Sequence, residues 1–230
     1  MKKLRRAWIS GFLFLFLFTI PGIAMPQVEI KLPKPSFLGK LSVEEAIISK
    51  KSTRNYAQTA LTPQEVSQIL WSANGNLPSD AVSGATVKVI PSAGGLYPLE
   101  IFLVTGKDTV EGIPAGAYQY QPATNSLTQL AEGDNRTLLA HACLSQMWMS
   151  RAPALVVIAA VMARMTSKYG SRGYQYVFME AGSSNQNVYM QAQSLGLKAA
   201  TVGAFNDAQV CSVLKLPKEM APLLIMTVGR

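Results

Sequence analysis

Apolar and polar positions recur along this chain with the periods of helix and strand. From Tyr174 to Leu195, Val177, Ala181, Ser184, Val188, Ala192 and Leu195 follow one another at steps of three and four, which lines one face of a long helix. Gly196 ends it, and the stripe marks a core or interface face. Ala154 to Val161 is apolar throughout and of strand length, as a central strand in a sheet covered on both faces would be. Shorter strand patterns run over Thr86 to Ile90, Glu100 to Thr105, Ala117 to Tyr120, Ser126 to Leu130, Ala199 to Val202 and a last stretch through Met226. Ser42 with Glu45 is a capping-box pattern that opens a short helix through Ile48. Thr62, Pro63 and Glu65 open a second through Ala73, with Leu61 and Val66 placed as a hydrophobic staple and Asn74 and Gly75 as the stop. Asp134 is expected to cap a helix reaching Trp148, and another helix runs from about Asp207 to Leu214. These elements add up to one α+β domain over 42–230, with no internal repeat.

The first residues follow a different pattern. Lys2, Lys3, Arg5 and Arg6 precede an almost wholly apolar run from Ile9 to Ile20, which Pro21 and Gly22 break. This is the layout of an export signal, and Gly22 and Ala24 place small residues where a peptidase cutting after Ala24 needs them. The run is shorter than the roughly 20 residues of a membrane span. Residues 1–24 are therefore expected to be a signal peptide, or an N-terminal anchor if uncut, followed by an extended Pro- and Lys-containing linker over 25–41. Arg5 and Arg6 fit a twin-arginine leader as well as an ordinary basic one. The protein is expected to be periplasmic or secreted.

Composition changes this picture little. With 49% hydrophobic and 15% charged residues, the 230-residue chain can bury one sizeable core. Of its net charge of +8, four charges belong to the leader, leaving +4 and no sign of a nucleic-acid partner. Cys143 and Cys211 could pair in an oxidising compartment or stay separate buried thiols, and their spacing suggests no metal. His141 is the only histidine, so hydrolytic triads and zinc sites are poorly supplied. No Gly-x-Gly-x-x-Gly follows a strand and no Walker sequence occurs, so neither a dinucleotide fold nor a P-loop is supported.

Three short segments can hold a ligand. Lys50, Lys51, Ser52, Thr53 and Arg54 place three cations and two hydroxyls in five residues after a helix; they can enclose a phosphate or form a solvated basic loop. Pro91, Ser92, Ala93, Gly94 and Gly95 give backbone free of bulk, which suits a flat ligand or simply a tight turn. Gly203, Ala204 and Phe205, between strand and helix, could aim an N–H at a ring nitrogen or merely connect two elements.

The order and spacing of these segments resemble the nitroreductase family over about Leu41 to Arg230. The resemblance implies a mixed, mainly antiparallel sheet flanked by helices, a homodimer, and FMN at the dimer interface. Lys50, Lys51, Ser52, Thr53 and Arg54 match the family's Arg-Arg-Ser-x-Arg-like phosphate segment, with lysines in place of the first pair, which keeps the charge and loses the planar fork. More narrowly the chain is similar to the SagB-type azoline dehydrogenases, whose Pro-Ser-x-Gly-Gly-x-Tyr-Pro-x-Glu segment is Pro91 to Glu100 here. Also similar are Lys168 and Tyr169 before Gly170, then Arg172, Gly173, Tyr174, Glu180, Ala181, Gly182 and Asn187. In that branch the Lys-Tyr pair is implicated in catalysis: a lysine beside a tyrosine lowers the phenol's pKa, so that the pair can take a proton while a hydride leaves for flavin. A surface lysine next to a buried tyrosine would look the same in sequence. The branch usually has His where this chain has Ser183.

The resemblance implies an FMN-dependent oxidoreductase acting by two-electron transfer on a small or peptidic substrate. Lys50, Lys51, Ser52 and Arg54 would hold phosphate and ribityl chain, Pro91, Ser92, Ala93 and Gly94 the ring from the neighbouring subunit, Gly203 and Ala204 the N5 edge, and Arg230 the phosphate, unless Arg230 is a solvated terminus. Export separates such an enzyme from NAD(P)H. Electrons would then pass to oxygen or another acceptor, or come from a membrane or periplasmic donor. A flavin-binding or protein-interaction domain without turnover, and an azoline dehydrogenase in peptide modification, are the alternatives.

Overall fold

The computed structural model of the chain describes residues 28–78 and 87–230. The leader lies outside the described residues. Thirteen helices and strands are described: β1 (Glu29–Lys31), α1 (Val43–Ser49), α2 (Pro63–Asn74), β2 (Leu99–Thr105), β3 (Gly116–Gln121), β4 (Ser126–Glu132), α3 (Arg136–Ala142), β5 (Ala154–Val161), α4 (Met162–Tyr169), α5 (Arg172–Ser194), β6 (Lys198–Val202), α6 (Asp207–Leu214) and β7 (Met220–Gly229). The strands form one sheet in the order β1-β4-β3-β2-β5-β7-β6. Every strand pair is antiparallel, and two isolated parallel bridges, Ser52 to Ala199 and Leu61 to Val110, dock loops onto the sheet.

Strand β5 is buried along nearly its whole length, and its residues divide by parity. Ala154, Val156, Ile158 and Ala160 join a core with Val66, Ile69, Leu70 and Ala73 of α2 and Val177, Ala181, Val188 and Ala192 of α5. Leu155, Val157 and Ala159 join a second core with Leu139 of α3, Met149, and Val210 and Leu214 of α6. The pleat sends alternate side chains to opposite faces, and both faces are covered, so the continuous apolar run is explained. Both capping boxes form as the sequence indicates, with reciprocal bonds between Ser42 and Glu45 and between Thr62 and Glu65.

Four segments differ from the sequence reading. No strand forms over 87–90; Lys88 makes a single antiparallel bridge to Asn76, and Leu77 and Val89 exchange backbone bonds with Val87 and Gly75. That segment spends its hydrogen bonds on the chain leaving α2, away from the sheet. The helix expected to reach Trp148 ends at Ala142, because Leu144 and Ser145 take left-handed φ values of 54° and 58°, and a separate 3-10 segment follows over Met147–Arg151. The linker contains β1, paired with β4, while Ser67 and Gln68 of α2 bond to Pro33 and Ser36. Helix α4, absent from the sequence reading, carries Lys168 and Tyr169.

Removing the Ile158 side chain leaves a hole between β5 and α5. Ile158→Ala is expected to cost about 2–5 kcal/mol in urea unfolding, whereas Leu138→Ala, at a position 54% exposed, stays within about 0.5 kcal/mol.

Candidate functional site

The register of β2 on β5 builds one part of the site. Leu99 pairs with Ala160, so the turn before β2 lies beside the end of β5, where α4 begins. In that turn Ala93–Gly95 forms a 3-10 segment, with Gly94 at φ 63° and Gly95 at φ 67°. The Ser92 hydroxyl accepts the N–H of Tyr97 at 2.9 Å. Tyr97 itself is held at φ 45°, a left-handed conformation that costs a residue with a side chain about 1–2 kcal/mol. Its carbonyl accepts from Arg164 at 3.1 Å and its hydroxyl from the N–H of Lys88 at 3.3 Å.

Helix α4 then lays its last turn over the glycines. A Cβ placed on Gly94 would stand 2.6 Å from the Tyr169 hydroxyl and 2.9 Å from Lys168 Nζ. The two motifs, far apart in sequence, are therefore neighbours, and a side chain on Gly94 would have to push the tips of Lys168 and Tyr169 aside. Gly170 closes α4 at φ 56°, and Gly173 packs against the backbone of Met165 and Thr166, so α5 starts directly on α4. The Tyr169 ring meets Tyr176 of α5 edge-on at 5.1 Å. Lys168 is exposed and Tyr169 half-buried. Ser183 turns its hydroxyl back onto the carbonyl of Met179 at 3.0 Å.

The second part lies along β6, the last strand of the sheet. Ser52 bridges to Ala199, and the Thr53 N–H donates to the Ala199 carbonyl at 2.9 Å. The Ser52 and Tyr189 hydroxyls are 3.0 Å apart, Lys50 Nζ sits 4.3 Å from the centre of the Tyr189 ring, and Arg54 stacks near Trp148. Lys51 and Arg54 are exposed. None of the three cations has an acidic partner among the described residues. Gly203 and Ala204 are exposed beyond the far end of β6, about 13 Å from Ala199 at the usual rise of a strand, and a Cβ on Gly203 would meet only Leu224, at 3.9 Å. A ligand with a phosphate at one end and a flat ring at the other fits this spacing and this donor set. Arg230 is partly exposed but tied down: its Nη2 pairs with Glu65 at 2.6 Å and its carbonyl accepts from Ala57. Among the described residues no hydrogen bond or ion pair joins the β6 strip to the Gly94 turn.

The sequence names Glu180 and Glu100 only as members of the branch-like motifs, and the fold sets them near Lys88 and Arg164. Glu180 of α5 is 3% exposed, and neither carboxylate oxygen has a hydrogen-bond partner among the described residues. Burial pushes its pKa up to about 7, opposed by the nearby Ser92 hydroxyl and by Lys88; the hydroxyl falls short of a hydrogen bond to either oxygen. Burial likewise lowers the pKa of Lys88, against the pull of Glu100. Glu100 pairs with Arg164 at 2.5 Å and accepts from Gln119. The available signal was Glu180's place on the apolar stripe, one helical turn beyond Val177. Cys143 and Cys211 are free thiols, with Cys143 raised to about 11 by burial. His141 is exposed in the last turn of α3.

Two outcomes follow. Gly94→Ala is expected to displace Lys168 and Tyr169, and a crystal structure of the variant checks it. The folded protein holds a proton on Glu180 between pH 4.5, the ordinary carboxyl value, and about 7, where the unfolded chain has lost it. Glu180 therefore makes the fold less stable as pH rises through that window, by on the order of 3 kcal/mol. Glu180→Gln should flatten this decline in urea unfolding compared at about pH 5 and about pH 8.

Comparison with known proteins accords with this geometry. The sequence pattern of the nitroreductase family matches residues 47–230. A candidate nitroreductase of Methanocaldococcus jannaschii is 41% identical over 203 residues, 88% of this chain and 96% of that protein. The microcin B17-processing protein McbC of Escherichia coli is 29% identical over 152 residues, 64% of this chain and 55% of McbC, so the match spans about half of McbC. Among solved structures, a candidate nitroreductase from Ralstonia eutropha superposes with a TM-score of 0.74 at 26% identity, covering 91% of this chain and 92% of that one. With its seven-stranded sheet, its glycine turn under Lys168 and Tyr169 and these relatives, the chain belongs to the nitroreductase family.

Proposed function

We propose that this protein is an FMN-dependent oxidoreductase that acts outside the cytoplasm, moving two electrons to or from a small or peptidic substrate. The observation that carries the reading is the convergence of Lys168 Nζ and the Tyr169 hydroxyl on the bare backbone of Gly94. A phenol beside an ammonium can hold or take a proton at its oxygen, and Gly95, where a Cβ would meet nothing within 4 Å, leaves open space beside it for a flat ring. Lys50, Lys51, Ser52 and Arg54 would hold a phosphate and ribityl chain by charge-assisted bonds, and the exposed N–H groups of Gly203 and Ala204 would face the ring edge. Bound flavin supplies the two-electron chemistry; the side chains supply binding, orientation and the proton.

A homodimer completes this arrangement. The β6 strip and the Gly94 turn are separate in one chain, so the Pro91 to Gly94 turn of one subunit would cover the ring held by its partner. Tyr174, Phe178 and Met179 of α5 and Val43, Ile47 and Ile48 of α1 are exposed apolar side chains, which suits burial between subunits. Arg230, tied to Glu65, would reach a phosphate only by giving up that ion pair. The leader of residues 1–24 supports action beyond the membrane, with oxygen, another acceptor or a membrane donor as the electron partner.

Likeness to McbC, together with the Lys168-Tyr169 pair, favours a second reading, oxidation of azolines in a peptide. Ser183, bonded to its own helix, stands against it.

Reaction of chemically reduced, FMN-loaded protein with oxygen, quinones, nitroaromatics and, in the oxidised state, azoline peptides tests the assignment. Tyr169→Phe and Lys168→Ala are expected to slow the productive reaction by about 10²–10⁴-fold without loosening flavin. Equal rates in wild type and variants would contradict the assigned pair. Flavin that no donor reduces and no acceptor oxidises would point to a domain without turnover.

A further inference from the structure

Helices α4 and α5 carry charge of nearly one sign. Between them they hold three cations, Arg164, Lys168 and Arg172, against one carboxyl group, Glu180. Arg164 is engaged by Glu100 of β2 at 2.5 Å, and Glu180 is buried. Lys168 and Arg172 are exposed and meet no carboxylate among the described residues. Water can serve an exposed cation as well as a carboxylate can, so their charge alone assigns them nothing.

Their setting says more. Gly170 closes α4 at φ 56°, and Gly173 packs on the backbone of Met165 and Thr166, so α5 leaves directly from the end of α4. Two tyrosines fill that corner. Tyr169 and Tyr176, both half-buried against the core, meet edge-on at 5.1 Å. Lys168 Nζ lies 5.4 Å from the centre of the Tyr169 ring, and the Arg172 guanidinium lies 5.4 Å from the centre of the Tyr176 ring. Both distances are within the range over which a ring attracts a cation. The four side chains therefore form one row of cation, ring, ring and cation. The ring contacts restrain two long side chains that would otherwise sweep widely, and a neutral ring leaves each charge available to a further partner. The row starts at the Gly94 turn, where a Cβ would stand 2.6 Å from the Tyr169 hydroxyl, and Gly95 beside it opens onto free space.

We infer that Arg172, together with Lys168, binds the anionic end of the substrate, and that this substrate carries a carboxylate beside the group that exchanges electrons. The inference rests on the reading of Lys168 and Tyr169 as the reacting end of the site. To that reading it adds Arg172 and the sign of the substrate's charge. A guanidinium donates to both oxygens of a carboxylate through its planar fork, and the Lys168 ammonium adds a second donor near the phenol. The tyrosine rings between them offer apolar surface to a flat molecule. A neutral substrate draws nothing from the two charges, and a cationic one is repelled. A small aromatic carboxylate is the simplest molecule that uses the whole row.

The test is calorimetric titration of full-length, FMN-loaded, oxidised protein with benzoate and with benzamide, which are alike in shape and differ by one charge. Benzoate is expected to bind about tenfold more tightly, an advantage that shrinks as salt screens the charges. Arg172→Gln should remove most of the preference and Arg172→Lys should keep part of it. Lys218→Gln, at an exposed cation between α6 and β7, should leave it intact. Where 4-nitrobenzoate is turned over, Arg172→Gln should raise its KM with little change in kcat, as loss of a binding contact does. Equal affinity for the two probes, or a preference that Arg172→Gln leaves untouched or that Lys218→Gln removes equally, would overturn the inference. Calorimetry needs no turnover, so the expected binding by a protein that no donor reduces would uphold this site and remove only the enzyme reading.

Discussion

The pairing of β2 with β5 is the constraint on which the rest of the structure depends. Seven consecutive pairs, from Leu99 with Ala160 to Thr105 with Ala154, lock the two strands in one register. A slip of one residue would turn Ile101, Leu103, Val156 and Ile158 from one core to the other. That register also places the candidate site. It sets the turn before β2 against the start of α4, and the missing side chain of Gly94 lets Lys168 and Tyr169 settle on that turn. Core packing and site geometry are one fact seen from the two ends of a strand.

Much of this was legible because the signals are local. The stripe from Val177 to Ala192, the unbroken run of β5 and the two capping boxes each lie within one element, and each appears where the sequence places it. The α+β class and the Pro91 to Glu100 turn were legible for the same reason. The misread segments depend on distant partners. β1 exists because β4 offers it an edge, and residues 87–90 are drawn to the end of α2. The break after Ala142 needs two left-handed non-glycine residues, Leu144 and Ser145, which no propensity announces. Glu180 is legible only as a member of the branch-like motif, because its burial without a hydrogen-bond partner shows only after folding. The contact of Gly94 with Lys168 and Tyr169 joins two motifs that the sequence offers separately.

The site that results is divided. A strip of cations, Lys50, Lys51 and Arg54, lies on the edge of β6, anchored by backbone bonds to Ala199 and by the contact of Ser52 with Tyr189. Lys168 and Tyr169 lie against the Gly94 turn, at the other end of β5. Lys50 rests on the Tyr189 ring and Arg54 on Trp148, none of the three cations meets a carboxylate among the described residues, and Gly95 opens onto free space.

The central claim is that the cations beside β6 bind the phosphate of a flavin. Comparing FMN with riboflavin by fluorescence titration of the apoprotein tests it most directly, since the two ligands differ only in that phosphate. Two charge-assisted bonds of roughly 1.5 kcal/mol each predict FMN binding about 10²-fold tighter than riboflavin, and a Lys51→Ala, Arg54→Ala double variant should lose most of that difference. Equal affinity for the two ligands, or a preference for FMN untouched by the double variant, would contradict the account.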